Sequence, residues 1–189
     1  MSSLPVGILL AAGQSRRFGS NKLLHPVTDD TSMLMVTAEK LTSVLPDTVA
    51  VINQGMAGCT AQLEQLGMQV VINEQAEQGM GGSIACGVCA RPDASGWLIN
   101  LADMPYIKTA TILLVAQKLK DGCDLVAPVF EQKRGHPVGF GRGYRDELIA
   151  LQEDIGARDI IARSQSSLVL VPTSDAGVLV DVDYVNDIL

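Results

Sequence analysis

Two kinds of apolar segment take turns along this chain. Short runs at residues 6–11, 48–52, 69–72, 97–101, 124–128 and 168–171 have the length and aliphatic content of strands buried on both faces. Between them, stretches at about 32–45, 59–66, 80–90 and 110–120 carry apolar residues at helical spacing. Strand and helix in alternation predict a mostly parallel, Rossmann-like α/β sheet with helices on both faces. Loops are short, and no repeat, low-complexity tract or linker-like stretch interrupts the pattern, so residues 1–189 read as a single domain.

The alternation weakens after residue 128. Residues 129–143 hold five glycines or prolines around Gly135-His136-Pro137. Helical stretches follow at 144–151 and 156–163, and 178–182 reads as a last strand before a terminal helix. This part predicts a small antiparallel excursion lying over the open end of the sheet. Open α/β sheets bind ligands beyond the carboxyl ends of their strands, so motifs at those ends carry the functional information.

Charge narrows the partners. Fourteen basic against 21 acidic residues give a net charge of −7, which argues against non-specific nucleic-acid binding. A small anionic ligand held by a few local cations stays open. No run approaches the roughly 18 apolar residues of a membrane span, and the start has no basic segment ahead of its apolar run, so a cytoplasmic location is expected. Nothing in the pattern demands assembly, and a monomer is the default expectation. Cys86 and Cys89 are the one suggestive cysteine spacing. A zinc site would need a second pair, and a redox pair would need a lowered thiol pKa; the plainer reading is two small residues on one helix face.

The strongest chemical signal starts where the first strand ends, at Leu9-Leu10-Ala11-Ala12-Gly13-Gln14-Ser15-Arg16-Arg17-Phe18-Gly19-Ser20-Asn21-Lys22. Ala11, Ala12 and Gly13 are small enough for backbone amides to approach an anion closely. Arg16 adds a planar fork for phosphate oxygens and Lys22 a point charge. The loop matches neither a Walker A motif, which needs Gly-Lys-Ser/Thr, nor the Gly-x-Gly-x-x-Gly dinucleotide fingerprint. The alternative is a glycine turn whose cations point into water.

Asp103, in Asn100-Leu101-Ala102-Asp103-Met104-Pro105, ends a buried strand and suits a Mg²⁺ ligand; the alternative is a cap for the next helix, whose start reads near Thr109. In Leu179-Val180-Asp181-Val182-Asp183, alternation puts both carboxylates on one side. Asp183 is the candidate second metal contact, with helix capping as the alternative. Gln78-Gly79-Met80-Gly81-Gly82-Ser83 opens a helix whose amides face a base or phosphate, unless Ser83 serves as a cap. Asn73, just after the third strand, is within reach of a base edge by position alone.

The pattern Leu-x-Ala-Gly-x-Ser-x-Arg-x-Gly-x-x-Lys resembles the signature of the nucleotidyltransferase superfamily that includes the sugar-phosphate nucleotidyltransferases, and its fold is of the nucleotide-diphospho-sugar transferase type. With Ala11-Ala12-Gly13 and Ser15 it looks most like the molybdenum cofactor cytidylyltransferases; related guanylyltransferases usually carry glycine where Ala12 stands. Matches run from residue 9 to residue 183. The resemblance implies a Mg²⁺-dependent transfer of a nucleotidyl group from an NTP, CTP by preference, to molybdopterin cofactor, with release of pyrophosphate. It implies catalytic roles for Arg16, Lys22 and Asp103, and metal ligation by Asp103 and Asp183. Leu10, Ala11, Ala12, Gly13, Ser15, Arg16, Lys22, Asn73, Gly79 and Ser83 would line the nucleotide, and His136 of the Gly-His-Pro element would sit beside the acceptor.

By the same resemblance, the product would pass to a molybdenum hydroxylase as a transient partner. The chain departs from the family in Ala102, where many members have glycine, and in Tyr184-Val185, where many have Thr-Pro. Asp154-Ile155-Gly156-Ala157-Arg158 matches a family segment of no derivable role. Rival readings are a guanylyltransferase, a transferase for another phosphorylated acceptor, and a non-catalytic nucleotide or cofactor carrier.

Overall fold

The computed structural model describes residues 4–13, 21–28, 30–152, 156–184 and 187–188. Its main sheet contains β1 (Val6–Ala11), β4 (Thr48–Ile52), β5 (Gln69–Ile72), β6 (Gly96–Leu101), β7 (Leu125–Phe130), β8 (Lys133–Arg134), β9 (Val138–Gly141) and β10 (Leu168–Pro172). A separate antiparallel pair, β2 (Pro26–Thr28) with β3 (Thr31–Ser32), precedes the first helix. The helices are α1 (Met33–Val44), α2 (Thr60–Gln65), α3 (Met80–Cys89), α4 (Thr109–Lys120), α5 (Arg145–Ile149) and α6 (Arg158–Arg163).

The sheet runs in the order β10-β7-β9-β6-β1-β4-β5, with β8 paired to β7. All its strands are parallel except β8 and β9. From β1 the chain moves outward to β4 and β5, then returns to lay β6 on the other side of β1. That reversal makes the gap beyond β1 and β6 the topological switch point, where such folds bind ligands.

Alternation along the strands feeds two apolar layers. Leu9, Ala11 and Leu98 pack on one face with Leu34 and Leu41 of α1, Leu63 of α2 and Val115 of α4. Ile8, Leu10, Trp97 and Ile99 pack on the other with Ile84 and Val88 of α3, Leu148 of α5 and Ile160 of α6. Residues 6–11 are buried throughout, which is why β1 reads as an unbroken apolar run. Gly87 sets how close α3 lies: a Cβ there would come within 2.7 Å of the Ile8 side chain. The missing side chain seats α3 hard on β1 and fixes where its first turn falls.

Two expectations are corrected. The antiparallel excursion does not lie over the open end of the sheet; β9 is inserted into the sheet between β6 and β7. Val138 and Phe140 are apolar and buried there, and a central position gives their strand hydrogen-bond partners on both edges. Nor is 178–182 a strand. A 3-10 turn at Ala176–Leu179 gives way to an extended run that crosses the strand ends, with Val182 N–H donating to the Asp103 carbonyl at 2.9 Å. The run does not add to the outer edge of β10, and its recorded backbone partner is the Asp103 carbonyl in the loop after β6.

Candidate functional site

A cavity of about 310 Å³ opens at the switch point, within the range of small-molecule sites. Leu10, Ala12 and Gly13 from the end of β1, and Leu101 and Asp103 from the end of β6, form one side. Ala76, Glu77, Gly79, Met80 and Ser83 at the start of α3 form another, and Lys22 and Leu23 close it. Gly13 and Asp103 therefore face the same space. Ala11 points to the opposite sheet layer. Ser15 and Arg16 lie outside the described residues.

Ser83 is neither a cap nor a loose hydroxyl. The helix starts at Met80 with Gly79 before it, so Ser83 sits inside the first turn. Asn73 donates from Nδ2 to Ser83 Oγ at 3.0 Å, while its Oδ1 accepts the Gln75 N–H at 3.0 Å. Both side chains are buried. Asn73 stands behind the cavity wall, and with its oxygen accepting from Asn73, the Ser83 hydroxyl keeps its own proton to donate. A second asparagine at a strand end, Asn53 after β4, donates to the Ala12 carbonyl at 3.0 Å and accepts the Met56 N–H at 3.1 Å. Sequence reasoning passed over Asn53; its signal was the same strand-end position that singled out Asn73. It also passed over Leu23, Ala76, Glu77 and Leu101 as lining residues.

Charge concentrates on one triad. Lys22 Nζ donates to Asp103 Oδ2 at 2.9 Å and to Asp183 Oδ1 at 2.8 Å. Lys22 starts a 3-10 turn whose N-terminus is capped by Asn21 and whose Leu23 is buried, so the lysine stem leaves a fixed point. Asp183 is brought in by the extended run, whose far end is held by Asp187 Oδ2 accepting the N–H groups of Asp183 and Tyr184. The helix after Asp103 begins at Thr109, six residues on, which excludes capping as the task of Asp103. Burial alone would lower the Lys22 pKa; attraction from Asp103 and Asp183, with their hydrogen bonds, outweighs it, and the net shift is upward. The ammonium stays charged at neutral pH.

Two carboxylate oxygens converging on one cationic point are a fitting donor set for a hard divalent cation, which takes one or two carboxylates and completes its shell with phosphate and water oxygens. Asp103 and Asp183 would hold it. Among the described residues no group of three or more His, Cys, Asp or Glu side chains gathers as a metal site.

His136 lies outside the cavity lining. Its N–H donates to the Val178 carbonyl at 3.0 Å, the His136–Pro137 bond is cis, and its Nδ1 is buried without a hydrogen-bond partner. Burial, helped by the Arg134 cation and only partly offset by Asp181, pushes its pKa down to about 4. The imidazole is neutral at physiological pH. Cys86 and Cys89 are free thiols on α3, and burial pushes the Cys86 thiol up, away from the depressed value a redox pair needs.

Known proteins resemble both the fold and the sequence. Residues 7–168 match the family model of the MobA-like NTP transferase domain. Nicotine blue oxidoreductase of Paenarthrobacter nicotinovorans is 26% identical over 187 residues, covering 95% of this chain and 92% of that protein. A molybdenum cofactor guanylyltransferase of Desulfosudis oleivorans is 30% identical over 132 residues, covering 68% and 60%. The crystal structure of Rv0371c from Mycobacterium tuberculosis superposes with a TM-score of 0.86 at 25% identity, covering 99% of this chain and 96% of that one. The chain spans about a third (34%) of the length of the bifunctional GlmU protein it matches. No helix among the described residues is long and apolar enough to cross a membrane.

Proposed function

We propose that this chain, which belongs to the MobA-like NTP transferase domain family of nucleotidyltransferases, transfers a cytidylyl group from CTP to the phosphate of molybdopterin cofactor, giving the cytosine dinucleotide and pyrophosphate. One observation carries the reading: Gly13 and Lys22 share a single cavity with Asp103, whose carboxylate converges with that of Asp183. A base would lie against Ala12 and Ser83, and the Ala12 methyl leaves less room for a purine than glycine would. The Ser83 proton would meet an acceptor atom on the base. Family likeness to a molybdenum cofactor guanylyltransferase supports the acceptor.

The chemistry asks the protein chiefly for alignment and charge compensation. An acceptor phosphate oxygen, already anionic at neutral pH, forms a bond to the α-phosphorus as the bond from that phosphorus to the pyrophosphate oxygen breaks. No side chain has to remove a proton, which agrees with a neutral, enclosed His136 beside the acceptor rather than at the reacting atoms. The Gly13 amide would face the tail, with Arg16 and Lys22 as counter-charges for departing pyrophosphate. A Mg²⁺ ion held by Asp103 and Asp183 would supply neutralisation of charge on the α-phosphate.

The test is pyrophosphate release with each of the four NTPs, with and without molybdenum cofactor, in wild type and Asp103→Asn. Release should need CTP and cofactor together, and the variant should lose a hundredfold or more, about 3 kcal/mol of barrier. Preference for GTP would move the chain to the guanylyltransferases, and release with a different phosphorylated acceptor would replace the acceptor assignment. Binding of CTP or cofactor without release would identify a carrier. The near-full-length likeness to nicotine blue oxidoreductase favours a second reading, reduction of a small molecule by an added two-electron donor, for which turnover would consume that donor and need no NTP.

A further inference from the structure

After β10 the described residues form no further strand, so the run that delivers Asp183 takes its position from individual bonds. Asp175, only 2% exposed, makes several of them. Its Oδ2 accepts the Lys108 N–H at 2.8 Å and the Thr111 hydroxyl at 2.7 Å, and its Oδ1 accepts the Gly177 N–H at 3.1 Å. The Thr173 hydroxyl accepts the Asp175 N–H at 3.2 Å and lies 3.4 Å from the Thr111 hydroxyl. With the Thr111 proton committed to Asp175, Thr173 donates to Thr111 and the ring of bonds closes.

Lys108 is the N-cap of α4 and gives it no side-chain cap. A local Ser, Thr, Asp or Asn ordinarily fills that position. Here the carboxylate arrives from 67 residues further along the chain, and the bonds that cap the helix also tie the late run to it. The two segments so joined are the ones that carry the cavity's carboxylates: Lys108 lies five residues after Asp103, and Asp175 eight before Asp183. α1 holds the first segment, with Thr37 Oγ1 donating to the Ala102 carbonyl at 3.1 Å and Lys40 Nζ to the Pro105 carbonyl at 2.5 Å. The second lies flush on the first at Gly177, where a Cβ would come within 2.2 Å of the Tyr106 carbonyl oxygen. Asp175 closes one end of this bracket, and the Val182 N–H on the Asp103 carbonyl closes the other at 2.9 Å.

We propose that Asp175 is a positioning residue for the Asp103–Asp183 pair: by bracketing the two segments it sets the spacing at which their carboxylates take a divalent cation. The cation rests on the transfer reading above; the bracket does not. Mg²⁺ demands oxygen ligands at about 2.1 Å in near-ideal octahedral geometry, so small errors in that spacing weaken it, and outer groups that orient metal ligands are commonly worth ten- to a hundredfold in affinity. In Asp175→Asn the amide nitrogen faces either the Gly177 N–H or the α4 donors, and one arm of the bracket opens.

Two measurements test this. The first is a melting-temperature cycle without metal. Asp183→Asn should lower the melting point of wild type by about 2–4 °C and that of Asp175→Asn by less than about 1 °C, because Asp183 no longer meets Lys22 there. The second is Mn²⁺ binding, read by electron paramagnetic resonance on folded protein saturated with a non-hydrolysable CTP analogue. Asp175→Asn should bind Mn²⁺ about tenfold more weakly and Thr111→Val about threefold, while Thr111→Ser, which keeps the hydroxyl, stays within about twofold of wild type. The metal-free affinity for the CTP analogue should stay within about twofold in all of them. Equal melting losses from Asp183→Asn in both backgrounds, or Mn²⁺ affinity in Asp175→Asn within about twofold of wild type, would reduce Asp175 to a stabilising group and overturn the proposal. Should Asp175→Asn fail to fold, Thr111→Val carries both measurements. A wild type that binds no Mn²⁺ sinks the transfer reading, and the melting cycle alone then decides the bracket.

Discussion

Replacing Lys22 with methionine keeps the apolar stem and removes the charge between Asp103 and Asp183. The Lys22 and Asp103 side chains are 13% and 25% exposed, so their charged hydrogen bond is worth about 2 kcal/mol. Asp183 is 36% exposed, and solvent screening reduces its bond to about 1 kcal/mol. Relief of the buried ammonium's desolvation returns part of this, leaving a net loss of about 2 kcal/mol. For a chain of this size the melting temperature should fall by roughly 4–8 °C. The variant leaves two carboxylates facing each other without a counter-charge, and a divalent cation should then bind at the same point more readily than in wild type, where it competes with the ammonium. At ten times its dissociation constant, Mg²⁺ should return about 1.4 kcal/mol to the variant. The assay is thermal unfolding of wild type, Lys22→Met and Lys22→Met/Asp103→Asn over a Mg²⁺ series. A melting point within about 2 °C of wild type without Mg²⁺, or equal Mg²⁺ stabilisation of all three proteins, would refute the triad as the energetic centre of the site.

His136 should make stability depend on pH. Its folded pKa of about 4 lies below the ordinary 6.5, so between those values the unfolded chain binds more protons and stability falls as the solution is acidified. The loss should approach about 3 kcal/mol near pH 4, and His136→Gln should remove that slope in denaturant titrations across the window. Gly135→Ala should cost about 2 kcal/mol in urea unfolding, because the new methyl meets the Val178 carbonyl and side chain. Ser83→Ala should weaken CTP-analogue binding by about 1 kcal/mol, roughly fivefold by calorimetry, while leaving the fold intact. Cys86→Ser with Cys89→Ser should leave pyrophosphate release unchanged within about twofold, since neither thiol reaches the cavity.

By itself the sequence determined the elements and the chemistry at strand ends. Residues 6–11 and 48–52 are apolar at every or nearly every position because both faces of a central parallel strand are covered, and that signal is local. Gly13, Lys22 and Asp103 could be singled out because phosphate and cation chemistry needs small residues, a cation and a carboxylate just past such strands. Tertiary structure alone decided who meets whom. The insertion of β9 between β6 and β7 is set by pairing with strands about 40 residues before it in one case and a dozen in the other, which no periodicity records. Residues 178–182 alternate like a strand, yet tertiary packing sets the run against the loop after β6, where Val182 donates to the Asp103 carbonyl, and not along a sheet edge. Lys22 was readable as a counter-charge for phosphate, but its place between Asp103 and Asp183 depends on the last turn of chain folding back over the first. Electrostatic partnership depends on distance through space, and distance along the chain carries almost none of it.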